Sequence, residues 1–241
     1  MAVGKTLNEL RFDLLNTLNI LSDDADFDYR LIDEFIINKR VKHFQNTFNK
    51  MTSVIPDAYY QNLACLPMML VDSSECCTNT DCYVVRSVDK VPAIMSLSDG
   101  ELIQRISPVG LESKSYTLIT QFRLPYFGNS RYNKNSIAAL YYNNYIYLIS
   151  KDPIYYPQIE KITVRAVFRD PREAGAFLTC DDQPCWTAED TFPIEERLWE
   201  WMKTDILATD FRLKITIPMD NEPDNMQNTT DLTPDGGTKK G

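Results

Sequence analysis

Six cysteines are the residues of this sequence best suited to bind a metal ion or to form covalent cross-links. They are Cys65, Cys76, Cys77, Cys82, Cys180 and Cys185. The pairs Cys77/Cys82 and Cys180/Cys185 each enclose four residues, at the upper end of the spacing common in zinc sites, and could present four thiolates to one ion. In an oxidising compartment the same loops could carry disulfides. We take free structural thiols as the first interpretation, with zinc and disulfides as alternatives, and expect no other cofactor.

The sequence offers little for acid–base or nucleophilic catalysis. His43 is the only histidine, and it lies beside Lys42 and Phe44 in a predicted helix, where we expect a partly exposed residue without a catalytic role. Glu195 and Glu196 could act as an acid–base pair, but the helix dipole alone explains acidic residues at a helix start. We therefore expect that the protein is not an enzyme.

Charged residues cluster where the second predicted helix begins. The acidic segment 22–28 lacks the glycine and the distal glutamate of an EF-hand loop, so capping of the helix by Asp26 or Asp28 is a better explanation than calcium binding. Basic residues follow on the helix itself: Arg30, Lys39, Arg40 and Lys42. These side chains could contact DNA, but a solvated helix face is the favoured interpretation.

Composition indicates an ordinary globular protein with an acidic surface. The 241 residues are 44% hydrophobic and carry a formal net charge of −9 at pH 7, which disfavours general coating of nucleic acid. Only 8 glycines are present, whereas 13 tyrosines and 11 phenylalanines suit half-buried strands and subunit interfaces. Because no apolar run resembles a signal peptide or a membrane span, we expect assembly in a cytoplasm and no membrane association.

Two amphipathic helices, over residues 6–21 and 29–49, must position the N-terminal groups. In the first helix, leucines spaced by three and four predict one buried face: Leu7, Leu10, Leu14, Leu18 and Leu21. In the second helix, the basic residues are predicted to lie opposite the apolar residues that continue that face. These apolar residues are Leu31, Phe35, Ile36 and Phe44. The acidic link predicts an antiparallel helical hairpin. A shorter helical segment is predicted from Pro56 to Leu66.

The middle of the chain has the pattern of β-strands and loops. Its strongest signal is a pair of aromatic and β-branched runs, 136–142 and 145–150, joined by Asn143 and Asn144, which tolerate the positive φ angles of a two-residue hairpin. Residues 159–168 alternate between apolar and polar side chains and predict a third strand next to the hairpin in an antiparallel sheet. Shorter candidate strands lie at residues 82–87 and 116–120.

The C-terminal part is predicted to return to helix and to end in a flexible tail. Pro193 is placed at the start of the helix, where its missing N–H costs nothing. Trp199 and Trp201 cannot both face the same core, so one of them is expected to contact a neighbouring element or subunit. One helix face is predicted to contain Ile194, Leu198, Trp201, Met202 and Leu207.

These elements predict an α+β fold, in which an N-terminal helical hairpin and a C-terminal helix pack with a central antiparallel sheet. We expect a single domain over residues 1–219. Within it, residues 1–66 are helical, 67–170 are mainly strands and loops, and 190–212 form a helix. A flexible acidic and asparagine-rich tail over residues 220–241 is expected to follow.

Three short segments, spread over most of the chain, share features with one protein family. The first is the acidic turn with the helix start Tyr29–Arg40, the second is the strand segment Tyr83–Pro92, and the third joins Phe192-Pro193-Ile194 to the proline- and acid-rich run Pro218–Asn225. In these segments the sequence resembles the head–tail connector, or neck ring, proteins of tailed bacteriophages, in particular those of crAss-like phages.

The resemblance implies a structural virion protein that forms a ring in the neck or tail. The ring would bridge the portal protein to the tail, line the channel used in viral genome ejection and let DNA pass without sequence-specific binding. Implied partners are other copies of the chain (twelve, from the portal's symmetry), the portal protein and adjacent tail ring proteins. The alternative is a cytoplasmic accessory binding module with a cysteine zinc site.

Under the ring hypothesis, six residues are the predicted contacts with neighbouring subunits or partners. They are Arg30, Lys39, Arg40, Lys42, Trp199 and Trp201. The basic members are predicted to form salt bridges with an acidic neighbour rather than to clamp DNA.

Overall fold

The structure, a computed structural model, describes residues 4–21, 28–49, 54–72, 84–111, 113–128, 136–150 and 159–211. Its class is α+β, as predicted. The helices of these segments are α1 (Leu7–Leu21), α2 (Tyr29–Phe48) and α3 (Glu196–Asp205), and a π-helical turn, Ile206–Phe211, continues α3. None of the described helices is long and apolar enough to cross a membrane.

Helix α1 forms for the reasons that its sequence suggests. Thr6 and Glu9 make a capping box, in which the Glu9 N–H donates to Thr6 Oγ1 at 3.2 Å and the Thr6 N–H donates to Glu9 Oε2 at 2.8 Å. The predicted leucine face is confirmed wherever its side chains are described, because all are at most 1% exposed: Leu7, Leu10, Leu14 and Leu18. This face supplies one wall of the main core.

Helix α2 begins as predicted but buries a different face. Asp28 caps it by accepting a hydrogen bond from the Arg30 N–H at 3.0 Å. The buried stripe is shifted from the predicted one, since Leu31 and Phe35 are only half-buried, and it contains Ile32, Ile36, Ile37, Arg40 and Phe44. Residues 22–27 lie outside the described residues, so the hairpin arrangement of the two helices stays a prediction.

The described residues contain nine strands. Their bounds are β1 (Gln61–Val71), β2 (Val84–Ser87), β3 (Ser96–Leu97), β4 (Gly100–Glu101), β5 (Ile103–Pro108), β6 (Thr117–Leu118), β7 (Ala138–Tyr142), β8 (Tyr145–Ile149) and β9 (Lys161–Ala166). Seven of them form one sheet in the order β5-β9-β1-β2-β8-β7-β6, and β3 pairs with β4 in a small separate ribbon. The pairs of the large sheet are antiparallel except β6–β7, which is parallel.

The large sheet curls until its two edges meet, so it is nearly a barrel rather than the simple sheet predicted. Tyr116, directly before β6, donates its backbone N–H to the carbonyl of Ile106 in β5 at 2.8 Å. This bond connects the last strand of the order to the first. The core lies between the sheet and the three helices, with leucines of α1 packed among residues of β1, β8 and β9.

Local strand predictions are confirmed, whereas neighbour relations differ. Asn143 and Asn144 adopt φ angles of 51° and 63° in the turn between β7 and β8. Strand β9 buries its apolar side chains as predicted, but it pairs with β1 and β5 and not with β8. The expectation that three sequential strands are adjacent is therefore wrong, because β1 and β2 intervene.

Two helix boundaries were predicted wrongly. The segment after Pro56 forms only a 3₁₀ turn, Asp57–Tyr59, and then becomes the central strand β1. Residues 63–71 are apolar without interruption, and such a run cannot be distinguished from a buried helix by its periodicity. Helix α3 begins at Glu196, with Glu195 at the cap position, and Pro193 lies before it.

Candidate functional site

Arg40 is the most deeply buried charged residue of the predicted contact set. Its side chain is 0% exposed, and it donates from Nε to the carbonyl of Pro193 at 2.8 Å and from Nη1 to the carbonyl of Phe168 at 2.9 Å. Burial lowers the pKa of Arg40 to about 10, which leaves it charged at neutral pH. Arg40 therefore joins α2 to the end of β9 and to the segment before α3.

Lys39 and His43 form a second polar cluster, at the junction of α2 with the end of α3. Lys39 Nζ lies 2.8 Å from Asp205 Oδ2 and 3.1 Å from Asp210 Oδ2. Burial alone would lower the pKa of Lys39, but these two carboxylates raise it above its ordinary value. His43 is 3% exposed, and its ring packs edge-on against Trp201.

These burials correct three predictions. Lys39 and Arg40 were placed on a solvated helix face, and His43 was expected to be partly exposed, but all three are buried within the subunit. The carboxylates that neutralise Lys39 belong to the same chain. Because Arg40 has no exposed surface, we do not propose it as a contact with a partner.

His43 makes the stability of the fold depend on pH. Burial lowers the pKa of His43 from 6.5 to about 4, so between these values the unfolded chain binds more protons than the folded chain, and stability falls as pH falls through this window. We expect the wild type to lose about 1 to 2.5 kcal/mol between about pH 7.5 and 4.5 relative to His43→Gln, which does not titrate. Urea unfolding of both chains at the two pH values measures this. Equal losses would contradict the assignment.

A third cluster connects α1 to α3 through Asp13. Its carboxylate accepts hydrogen bonds from Trp199 Nε1 at 2.8 Å and from Lys203 Nζ at 2.6 Å. Although burial raises the pKa of Asp13, the bonds from Lys203 and Trp199 hold it below its ordinary value. Trp199 is 1% exposed and Trp201 is 54% exposed, which confirms that the two do not face the same core. The buried one is Trp199, so the predicted position of Trp201 on the apolar face is wrong.

The first two helices are joined by an ion pair that was not predicted from the sequence. Arg11 donates from Nε and Nη2 to the two oxygens of Asp33, both at 2.8 Å, in the bidentate geometry that favours arginine–carboxylate pairing. Arg172 lies 3.6 Å from the same carboxylate and 2.7 Å from Glu34. The sequence does contain one indication that Asp33 lies on the inner face of α2: it precedes Ile37 by four residues and so shares its helix face.

The cysteines do not form the arrangement favoured from the sequence. Cys65 and Cys180 are joined by a disulfide, with their Cα atoms 5.2 Å apart, so the interpretation as free thiols is wrong for these two. Cys65 lies in a β-bulge between Leu63 and Leu66 with a φ of 53°, and nothing in the sequence relates this bulge to a residue 115 positions away. Cys185 is a free thiol.

The proposed four-thiolate zinc site needs Cys180 as a thiolate, which the disulfide does not provide. Its other members include Cys77 and Cys82, which lie outside the described residues. Zinc binding, the alternative to free thiols, therefore stays untested and would require prior reduction. The described residues contain no group of three or more histidines, cysteines and carboxylates placed to hold a metal ion.

Of the predicted contact residues, Arg30, Lys42 and Trp201 remain accessible on the subunit surface. The polar groups that the structure brings together serve to join helices to one another and to the sheet. In the described residues, His43 lies 3.8 Å from the carboxylate of Asp205, and this carboxylate is already paired with Lys39 at 2.8 Å. This arrangement suits a rigid structural subunit.

Comparison with known proteins agrees with that description. Residues 13–231 match the family model described as phage tail ring protein 2. The chain is also 27% identical over 199 residues to "Ring protein 2" of Bacteroides phage crAss001, a match that covers 80% of this chain and 84% of that protein. The family is one of structural ring proteins, consistent with the expectation that the chain is not an enzyme. With nearly its whole length matched, the chain belongs to the phage tail ring protein 2 family of crAss-like phages, and is a component of the virion's tail.

Proposed function

We propose that this protein forms a homo-oligomeric ring in the head–tail connector, where it bridges the portal protein to the tail and surrounds the path of the DNA. The observation that carries the proposal is the family match over residues 13–231. A ring made from copies of one chain needs two different, complementary surfaces on each copy. Twelve copies follow if the ring adopts the symmetry of the portal, and assembly would take place in the host cytoplasm.

The charge of the chain supports a place around the DNA. A net charge of −9 per copy gives a ring of twelve a strongly negative field, which repels phosphates and disfavours adhesion of passing DNA. Two basic residues of the helices, Lys39 and Arg11, are each paired with carboxylates of their own chain. These two cations are therefore not available for binding DNA.

Three exposed residues on the helical layer are the proposed contacts with a neighbouring ring component. Arg30 and Lys42 are exposed on α2, and Trp201 is 54% exposed on α3. A large aromatic side chain with half of its surface in water is typical of interface cores. Trp201 rests on His43, so its ring is held in place before any partner binds.

Electron microscopy of the purified chain mixed with the portal protein of its phage tests the proposal. We expect closed rings stacked on the portal, with the portal's rotational symmetry, because a heterologous interface of fixed angle closes after a set number of copies. The portal alone is the control. A chain that stays monomeric in the mixture would contradict the proposed function.

A further inference from the structure

Among the described residues, the two edges of the near-barrel leave an open seam. They are connected at Tyr116 and Ile106, and residues of the segments 118–122 and 99–103 both line a cavity of about 360 Å³. Strand β6 is only two residues long and is exposed, so it covers little of this edge. An edge strand of this kind can accept a further strand from outside.

The seam has an apolar floor and an acidic rim. Leu118, Ile119, Leu140 and Tyr142 contribute to the lining, and Phe122 beside them is 91% exposed. Asp99 and Glu101, both exposed, lie on the β3–β4 side. Exposed apolar groups next to carboxylates fit a segment that alternates between apolar and basic side chains.

The chain itself contains one such segment, directly after the last described residue. Residues 212–217 read Arg-Leu-Lys-Ile-Thr-Ile, an alternation with the period of a β-strand. In an extended conformation Leu213, Ile215 and Ile217 would share one face, and Arg212 and Lys214 the other. β-branched residues favour this conformation, and the two cations match the two carboxylates of the rim.

The segment begins at a different point along α2 from the one that adjoins the seam's rim. Phe211 packs against Phe35 with ring centroids 5.3 Å apart, whereas the seam's rim adjoins the far end of α2, where Asn49 Oδ1 accepts from the Ser98 N–H at 3.1 Å. Phe35 and Asn49 are fourteen positions apart, or about 21 Å along the helix. Fully extended, the six residues that follow Phe211, up to Ile217, span at most about 21 Å, so within one subunit only the end of the segment could reach the rim.

We propose that residues 212–217 of a neighbouring copy lie in the seam between β5 and β6 and complete the barrel, so that each subunit of the ring gives one strand and receives one. The proposal rests on the ring assembly proposed above. Leu213, Ile215 and Ile217 cover the apolar floor, while Arg212 and Lys214 pair with Asp99 and Glu101. The interface is heterologous, as a closed ring requires.

Charge reversal in full-length chains tests the proposal. One variant carries Asp99→Lys with Glu101→Lys, and the second carries Arg212→Glu with Lys214→Glu. We expect that neither variant assembles alone, as measured by mass photometry. An equimolar mixture of the two is expected to assemble, because the reversed strand of one variant then meets the reversed rim of the other, and the native strand meets the native rim. Asp89→Lys with Asp181→Lys, an equal charge change at exposed positions away from the seam, is the matched control and is expected to assemble.

The other outcomes overturn the proposal. If assembly is restored only when all four substitutions are in one chain, the strand folds back on its own subunit. If both variants assemble normally, the seam is not the interface. A chain ending at Met219 retains the strand and is expected to assemble.

If the wild-type chain is monomeric in isolation, binding of a labelled peptide of residues 211–219 to the chain tests the proposed strand exchange instead. It should bind the full-length wild type, and binding to the rim variant should weaken about tenfold, as expected when two surface ion pairs become repulsive. Absence of peptide binding would overturn the strand exchange. Peptide binding by a chain that never forms rings with its portal would contradict the proposed function alone.

Discussion

Replacing Arg40 with methionine is expected to lower the free energy of unfolding by about 2 to 6 kcal/mol, because two buried carbonyl groups are left unsatisfied at about 1 to 3 kcal/mol each. Methionine fills much of the space left by the arginine stem but donates no hydrogen bond. The carbonyls of Pro193 and Phe168, which Arg40 satisfies at 2.8 and 2.9 Å, would lose their donors inside the protein. Urea unfolding followed by circular dichroism measures the change.

Lys42→Met is the matched control, because Lys42 lies two residues away on the same helix and is exposed. Its free energy of unfolding should change by no more than about 0.5 kcal/mol. A lysine at position 40 should restore little stability, since a single ammonium group cannot reproduce the planar geometry that reaches two carbonyls. If Arg40→Met is as stable as Lys42→Met, the hydrogen bonds of Arg40 contribute nothing to the free energy of unfolding.

Trp199→Ala is the second change for which we expect a large effect, a loss of about 3 to 5 kcal/mol, typical for truncation of a buried aromatic residue. The indole of Trp199 is 1% exposed, so its removal leaves a cavity between α1 and α3. It also removes one of the two strong hydrogen bonds of the Asp13 carboxylate. Thermal and urea unfolding should both report the loss.

Trp201→Ala, the same change two positions further along the helix, tests assembly independently of stability. Trp201 is 54% exposed, so Trp201→Ala should cost about 1 kcal/mol or less in the isolated chain. If Trp201 contacts a neighbouring ring component, as we propose, this variant should fold normally and yet bind the portal complex more weakly. Normal assembly by Trp201→Ala would remove this residue from the proposed interface.

Local sequence signals were sufficient wherever short-range geometry decides the structure. The leucine spacing of α1, an aspartate cap on α2 (Asp26 or Asp28) and the asparagine pair between β7 and β8 were all predicted, and each depends on residues within a few positions of one another. Helix periodicity, capping and positive φ angles are properties of the local chain. The family, too, was recognised from short segments of this kind.

Predictions failed where an element's environment comes from distant residues. The segment 61–71 was assigned in part to a helix because its apolar run fits either structure, and the strands that pair with it on both sides lie elsewhere in the chain. The buried face of α2 was misplaced because Arg40 and Lys39 were assumed to need water. Backbone carbonyls and carboxylates more than 120 residues away satisfy them instead.

By itself, the sequence of this phage tail ring protein determined its α+β class, most of its helices, its β7–β8 hairpin and its acidic character, since these follow from periodicity, turn chemistry and charge. Only the tertiary structure decided that the sheet curls into a near-barrel, that Cys65 meets Cys180 and that buried ion pairs hold the helices to one another. The physical reason is that a buried charge or thiol is stabilised by whichever partner the fold brings near, and no local pattern specifies a partner a hundred residues away.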